Sequence, residues 1–372
     1  MQVLSYVPRY IKDLIPYPPG KPIDEVEREF GISGSVKLAS NECPVGPSPK
    51  ALEAAKKALS SIHIYPDGSG YYLKNRLAEK HGVNTDNLIL GNGSNEIIEL
   101  ISRSFISRGD EAIMGDPAFI VYQLITKAIG ATAVPVPLVN YIHDLKSMAE
   151  RITDKTRVIF VANPNNPTGT VVGRDELKSF INSVPPDILI IMDEAYHEYA
   201  EALDPYEESL QYVKERENVI LLRTFSKAFG LAGLRIGYGI ANKEVIKMLE
   251  RVRHPFNVNS LALAAAKAAI DDEAHLEEAL RVNEKGMAYL TSKLNEMAIP
   301  YVESYANFLL IDTGIEGATL CEELLKKGVI VRSMAGYGLR NHIRVTIGLM
   351  EENKRFMESF RHCIEKMGGH VK

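Results

Sequence analysis

The sequence predicts an α/β protein in which a large, mostly parallel sheet domain is followed by a smaller α+β domain. Three observations carry this. Short apolar runs alternate with amphipathic stretches from about residue 88 to 240, the rhythm of βαβ units whose sheet is covered on both faces. After about residue 255 the texture changes, with two long helical stretches in succession and then three strands interleaved with helices. The chain has 372 residues, which corresponds to roughly two domains and buries a large core without disulfides or metals.

Taken in order, residues 1–46 are rich in proline and glycine and read as an extended arm. In "SPKALEAAKKALSSI" Ser48 is the N-cap and Pro49 occupies the first helical position. Leu52, Ala55, Leu59 and Ile62 then make one apolar stripe. Strands are expected at 88–90, 112–114, 133–136, 158–162, 188–192, 219–222 and 236–240, with helices at 95–107 and 118–129 among them. Residues 47–255 thus form the large domain. Residues 256–372 form the small one, with helices at 260–271 and 273–297, strands in "ANFLLIDT", "GVIVRS" and "HIRVTIG", and a closing helix at 351–367.

Composition narrows the function. Hydrophobic content is 45%, charged content 24% and net charge -5, which is ordinary for a soluble globular protein. No long basic run is present, which argues against nucleic acid and against an anionic membrane surface. No window offers the ~18 uninterrupted apolar residues of a membrane span. Arg9, Lys12, Asp13 and several prolines interrupt the N-terminal stretch, so it lacks a signal-peptide core. Cys43, Cys321 and Cys363 are far apart and odd in number, which fits a reducing compartment. A cytoplasmic protein is expected.

In open α/β sheets, ligands bind beyond the carboxyl ends of the strands. Four such ends carry chemistry here. "GNGSNEIIELIS" leads through glycines into a helix, where backbone donors and the helix dipole favour an anion, with Ser94 and Asn95 at hand. The plainer reading is a capped turn. "NPNNPTGT" is a rigid loop dense in amides, Asn166 among them. In "DEAYHEY", Asp193 follows four apolar residues at the mouth of a buried strand, and a carboxylate there needs a partner. Tyr196 supplies a phenol. His197 and Glu198 lack the second histidine of a zinc motif, so no metal is expected. "RTFSKAFGLAGLRIGYG" brings the hydroxyls of Thr224 and Ser226, the amine of Lys227 and the guanidinium of Arg235. A solvated loop lysine is the ordinary reading of Lys227, but it leaves the other three strand ends unexplained. Pyridoxal 5'-phosphate uses all four: it has a phosphate, an aldehyde that reacts with lysine, a ring nitrogen and a phenolic oxygen.

On "NPNNPTG", "DEAYHEY", "RTFSKAFGLAGLRIGYG", "PFNVNS", "ANFLL" and "IRVTIG", the sequence resembles the fold-type I pyridoxal-phosphate-dependent aminotransferases over nearly its whole length. More narrowly, it resembles the histidinol-phosphate aminotransferase family. The resemblance implies that Lys227 joins the cofactor aldehyde and moves the proton at Cα. It implies that Asp193 pairs with the ring nitrogen and that Tyr196 and Asn166 contact the phenolic oxygen. Ser94, Asn95, Thr224, Ser226 and Arg235 would hold the phosphate, and Phe119 would stack on the ring. Asn95 stands where the family usually has an acidic residue, and Phe119 where many relatives have tyrosine. Tyr65 matches a tyrosine that reaches the phosphate of a neighbouring subunit, which implies a homodimer with shared active sites. Arg344, Arg332, Asn41 and Tyr17 would bind substrate, Tyr17 from an arm that resembles the family's lid. The implied reaction takes an amino donor, histidinol phosphate, and a 2-oxo acid acceptor, 2-oxoglutarate, in histidine biosynthesis.

Rival readings differ in what they explain. A nicotinamide dehydrogenase would use "GNGSNE" and Asp110, but the third glycine is missing and Lys227 and Asp193 are left idle. A non-catalytic binding protein on this fold would be expected to lack the lysine. An aromatic or broad-specificity aminotransferase, or an amino-acid-phosphate decarboxylase, shares the cofactor motifs, and these two readings stay open.

Overall fold

The seven expected apolar runs become the strands of one sheet in the computed structural model, which describes residues 2–16 and 20–368. In chain order the strands are β1 (Val36–Lys37), β2 (Leu88–Gly91), β3 (Glu111–Asp116), β4 (Thr132–Pro137), β5 (Thr156–Ala162), β6 (Leu189–Asp193), β7 (Val219–Thr224) and β8 (Gly237–Ile240). They continue with β9 (Tyr301–Val302), β10 (Phe308–Asp312), β11 (Val329–Ile330), β12 (Arg332–Ser333) and β13 (His342–Thr346). The large sheet has the order β2-β8-β7-β6-β5-β3-β4. Its runs lack alternation because both faces are covered. Ile190 and Met192 of β6 enter one core while Leu189 and Ile191 enter the other. Val219 and Leu221 of β7 divide from Ile220 and Leu222 in the same way.

One strand departs from the parallel pattern, and it matters for the site. β8 runs antiparallel to both β7 and β2. Its N-terminal end therefore lies beside the carboxyl ends of its neighbours, with Gly237 opposite both Gly91 and Thr224. That reversal delivers Arg235 to the edge where the other strands end.

The helix Pro49–Leu59 starts as expected, with Ser48 Oγ accepting from the amides of Lys50 and Ala51. The stripe assigned to it behaves otherwise. Its buried side chain is Ala51, in the same core as Ala262, Ala265 and Ala266 of the helix Ser260–Ile270. Leu52, Leu59 and Ile62 are exposed. Small residues let the two helices approach closely, which turns the larger apolar side chains outward. By its packing, Ser260–Ile270 joins the large core, although the texture of the sequence changes before it.

A third core is built on the four-stranded sheet β12-β13-β10-β9 with the helices Glu273–Glu296, Gly317–Leu325 and Met350–Lys366. "GVIVRS" reads as one strand but divides at Val331, because β11 pairs with β1 while β12 pairs with β13. The stretch read as an extended arm carries a helix at Ile23–Phe30, closed by Gly31 at φ 63°. Val26 of that helix packs with Ala39 and Ile330. Composition alone hid the helix because its apolar face is a single buried residue wide.

Candidate active site

Asp193, Lys227 and the hydroxyls of the glycine-rich segment converge because they end adjacent strands. Asp193 closes β6, Thr224 closes β7, and Ser226 and Lys227 follow directly. Next to them the helix Ser94–Phe105 begins after β2. Its N-cap is Gly93 at φ 72°, and no side chain caps it, so its first amides are available to an anion. Two glycines make the close approach possible. A Cβ on Gly93 would lie 2.5 Å from Arg235 Nη2, and one on Gly237 would lie 2.6 Å from the Ser94 amide nitrogen.

These groups line one cleft of about 610 Å³, counting its open mouth. Ser94, Asn95, Phe119, Asn166, Asp193, Tyr196, Thr224, Ser226, Lys227 and Arg235 all border it. The cleft thus brings together ten of the predicted site residues. At one end Arg235 Nη1 donates to Ser226 Oγ at 3.2 Å, and the Ser226 amide donates to Thr224 Oγ1 at 3.1 Å. With the uncapped helix start, this end is a cradle for a phosphate.

The two arginines flanking Lys227 have separate fates. Arg235 is exposed at the cradle. Arg223 is buried and pairs with Glu194 at 2.8 Å and Glu208 at 2.7 Å, which ties the ends of β6 and β7 together beneath the site. His197 is also structural: Nδ1 lies 3.0 Å from Tyr206 Oη, and burial pushes its imidazole down to about 2.

At the other end of the cleft, burial raises the Asp193 carboxyl to about 6, against the hydrogen bond from Tyr122. Tyr122 Oη donates to Asp193 Oδ2 at 2.6 Å. Asp193 Oδ1 is buried with no partner among the described residues. Lys227 Nζ donates to the carbonyls of Ser40 and Asn41, each at 3.2 Å. Burial, then the charge of Arg344, lowers its amine to about 7, so a large neutral fraction exists at neutral pH. Tyr196, raised to about 12 by burial, accepts from Asn41 Nδ2 at 2.9 Å.

Asn41 is a junction more than a mouth. It is 1% exposed, with φ 55°. Its amide donates to Thr346 Oγ1 at 2.9 Å, and its carbonyl also accepts from Asn307 Nδ2 at 3.1 Å. Arg344 reaches Asn166 Oδ1 with Nη1 and the Ala39 carbonyl with Nη2, while its buried Nε has no partner among the described residues. In the "NPNNPTGT" loop, Asn163 Oδ1 accepts from the Val172 amide and Asn165 Nδ2 donates to the Pro117 carbonyl and Thr168 Oγ1, while Asn166 faces the cleft.

Arg332 stands opposite Arg344 in the β12–β13 register but borders a separate groove. That groove, about 1640 Å³ with its open side, lies between residues 13–16 and 20–21, the helix Ile120–Ala128 and Tyr337. Tyr65 is not in the cleft: it is 79% exposed and stacks on Phe256 with ring centroids 4.8 Å apart. Tyr17 lies outside the described residues. Sequence reasoning missed Tyr122 and Asn307. Both sit inside stretches it used, Tyr122 three residues after Phe119 and Asn307 in "ANFLL".

The profile of the family described as aminotransferase class I and II matches residues 33–360. The chain belongs to the class I and II aminotransferases. Among curated relatives, histidinol-phosphate aminotransferase 2 of Pseudomonas fluorescens is 50% identical over 358 residues, covering 96% of each chain. Histidinol-phosphate aminotransferase 1 of Idiomarina loihiensis is 49% identical over 351 residues, covering 94% of this chain and 95% of the relative. The solved histidinol-phosphate aminotransferase of Sinorhizobium meliloti, in complex with pyridoxal-5'-phosphate, superposes with a TM-score of 0.88 at 25% identity over 98% of both chains. Aspartate aminotransferase of Thermus thermophilus with maleate, at 23% identity, shares the fold with a TM-score of 0.83, covering 96% of this chain and 99% of that one. The fold is that of a fold-type I aminotransferase.

Proposed function

We propose that this aminotransferase uses pyridoxal 5'-phosphate to move the amino group of histidinol phosphate to 2-oxoglutarate. The observation that carries the cofactor reading is one cleft holding an anion cradle at one end, Asp193 Oδ1, without a partner among the described residues, at the other, and the Lys227 amine beside them. Ser94, Asn95, Thr224, Ser226 and Arg235 would hold the phosphate, Phe119 a ring face, Asn166 and Tyr196 the phenolic oxygen, and Asp193 the ring nitrogen. When bound, the cofactor supplies a reactive aldehyde and an electron-withdrawing ring that stabilises charge at the substrate Cα.

The residues of the chain do the rest. Asp193, as a carboxylate, keeps a proton on the nitrogen it faces. Lys227 Nζ, neutral near pH 7, takes the proton from the substrate Cα as a general base. Arg344 orients a substrate anion through its planar fork, and its Nε, without a partner among the described residues, favours that role. Arg332 borders the neighbouring groove and would supply a further cation toward the phosphate, the one anionic group of histidinol phosphate. The names of the relatives at 49% and 50% identity support histidinol phosphate as that donor.

The groove also carries apolar walls, from Leu14, Ile15, Ile120 and Leu124, which favours aromatic amino acids as alternative donors. We further read the exposed Leu52, Leu59, Tyr65, Tyr71, Tyr72 and Phe256 as a surface for a second copy, which would bring Tyr65 to the neighbouring site. Among the described residues no helix is long and apolar enough to cross a membrane; a cytoplasmic location is part of the proposal.

The test is a half-reaction panel. The cofactor-loaded protein is mixed with histidinol phosphate, phenylalanine, tyrosine or threonine phosphate, and loss of the lysine-bound cofactor absorbance is followed. Fastest loss with histidinol phosphate supports the assignment. A preference for phenylalanine replaces it with an aromatic aminotransferase, and carbon dioxide release from threonine phosphate replaces it with a decarboxylase.

A further inference from the structure

We propose that Tyr122 is the positioning residue that aims Asp193, fixing one carboxylate oxygen so that the other faces the cofactor's ring nitrogen. The inference rests on the reading of the cleft as a pyridoxal-phosphate site. Tyr122 Oη donates to Asp193 Oδ2 at 2.6 Å, while Oδ1 is buried and unpartnered among the described residues. The terminal torsion of an aspartate is broad, so the end of β6 does not by itself decide which way the carboxylate plane faces. A short bond to one oxygen decides it.

Tyr122 is itself held. It is 1% exposed, and its ring stacks on Phe160 of β5 with centroids 4.7 Å apart and planes at 7°. Phe119 meets it edge-on at 5.6 Å and 86°. The phenol therefore links the side chain expected on the cofactor's face to the carboxylate expected at its nitrogen. It comes from the helix Ile120–Ala128, independently of the segment that carries Lys227.

The bond also acts on charge. A donor to a carboxylate favours its ionised form, against the burial that disfavours it. The other ionisable groups acting on Asp193 are Glu194, beside it in the chain, and Lys227, with Tyr196 also close. Without the phenol, the buried carboxylate loses its strongest donor and keeps the weaker backbone contact of Ala195. The proton between ring nitrogen and carboxylate then moves toward the carboxylate, and the ring loses positive charge.

The experiment uses the full-length protein loaded with cofactor labelled with nitrogen-15 in the ring. In Tyr122→Phe, which removes only the hydroxyl, the nitrogen resonance should move toward that of an unprotonated ring. The cofactor dissociation constant should rise about tenfold. Thermal midpoint and circular dichroism check that the fold is kept. In an Asp193→Asn background, adding Tyr122→Phe should move neither the resonance nor the dissociation constant further, because the phenol acts through the carboxylate. An unchanged resonance in Tyr122→Phe overturns the inference, as does an equal response in the Asp193→Asn background. Failure of the wild-type protein to bind the cofactor at all removes the functional reading and this inference with it.

Discussion

The cleft around Lys227 and the groove around Arg332 are neighbours built from different material. The cleft's groups sit on strand ends of one sheet whose two faces are covered by extensive cores. They are mostly partnered within the chain, as in Tyr122 to Asp193, Asn41 to Tyr196 and Arg235 to Ser226. The groove's walls come from the N-terminal segment, one helix of the large core and the edge strand β12. Tyr65, expected to complete a site, points to solvent. Chemistry common to all substrates can be preorganised on a rigid scaffold. The groove, which draws on the N-terminal segment and an edge strand, is the part of the molecule proposed to select between substrates.

Perturbing the cleft should therefore damage every substrate alike, and perturbing the groove should discriminate among them. The largest effect belongs to Lys227→Ala. Loss of the positioned amine should reduce turnover by at least ~10²–10⁴-fold with any donor, and the lysine-bound absorbance should vanish. Substantial residual transamination would break the account at its centre. Asp193→Asn should retain cofactor but slow single-turnover rates by roughly 100-fold, near the top of the range for a hydrogen bond to a charged group. Unchanged rates would take Asp193 out of the chemistry.

Arg344 stands between the two regions. Arg344→Ala should weaken both half-reactions, by roughly 10–150-fold in kcat/KM, because on the proposed reading it would hold the anionic end of each substrate, the phosphate of the donor and a carboxylate of the acceptor. Arg332→Ala should cost about tenfold for histidinol phosphate and less for phenylalanine. Equal losses for both donors would erase the proposed difference between cleft and groove.

The smallest effect is in pH dependence. With the Lys227 amine lowered to about 7, cofactor uptake by the apoprotein should slow as pH falls through 7, where the amine becomes protonated. Part of that lowering comes from the positive charge of Arg344. Removing it should move the inflection upward, as stopped-flow absorbance across a pH series would show.

The same contrast explains what could be read from the sequence. The seven central strands were legible because burial on both faces makes them unbroken apolar runs, and the cleft residues stand out as polar groups directly after those runs. Tyr122 was hidden because a tyrosine on an amphipathic helix reads as packing. Only the approach of that helix to the end of β6 reveals its hydroxyl bond. Asn307 was hidden likewise, since its partner Asn41 lies 266 residues away in the chain. The outward turn of Leu52, Leu59 and Ile62 was not legible either, because an apolar stripe looks the same whether it faces a core or another chain.

On the proposed reading, Lys227 holds the cofactor covalently within a cleft made by this chain. Borohydride reduction of the cofactor-loaded protein, followed by digestion and mass spectrometry, tests it directly. One pyridoxyl adduct per chain is expected, on the peptide containing Lys227 and lost in Lys227→Ala. An adduct on another lysine, or no adduct in a protein that still transaminates, would contradict it.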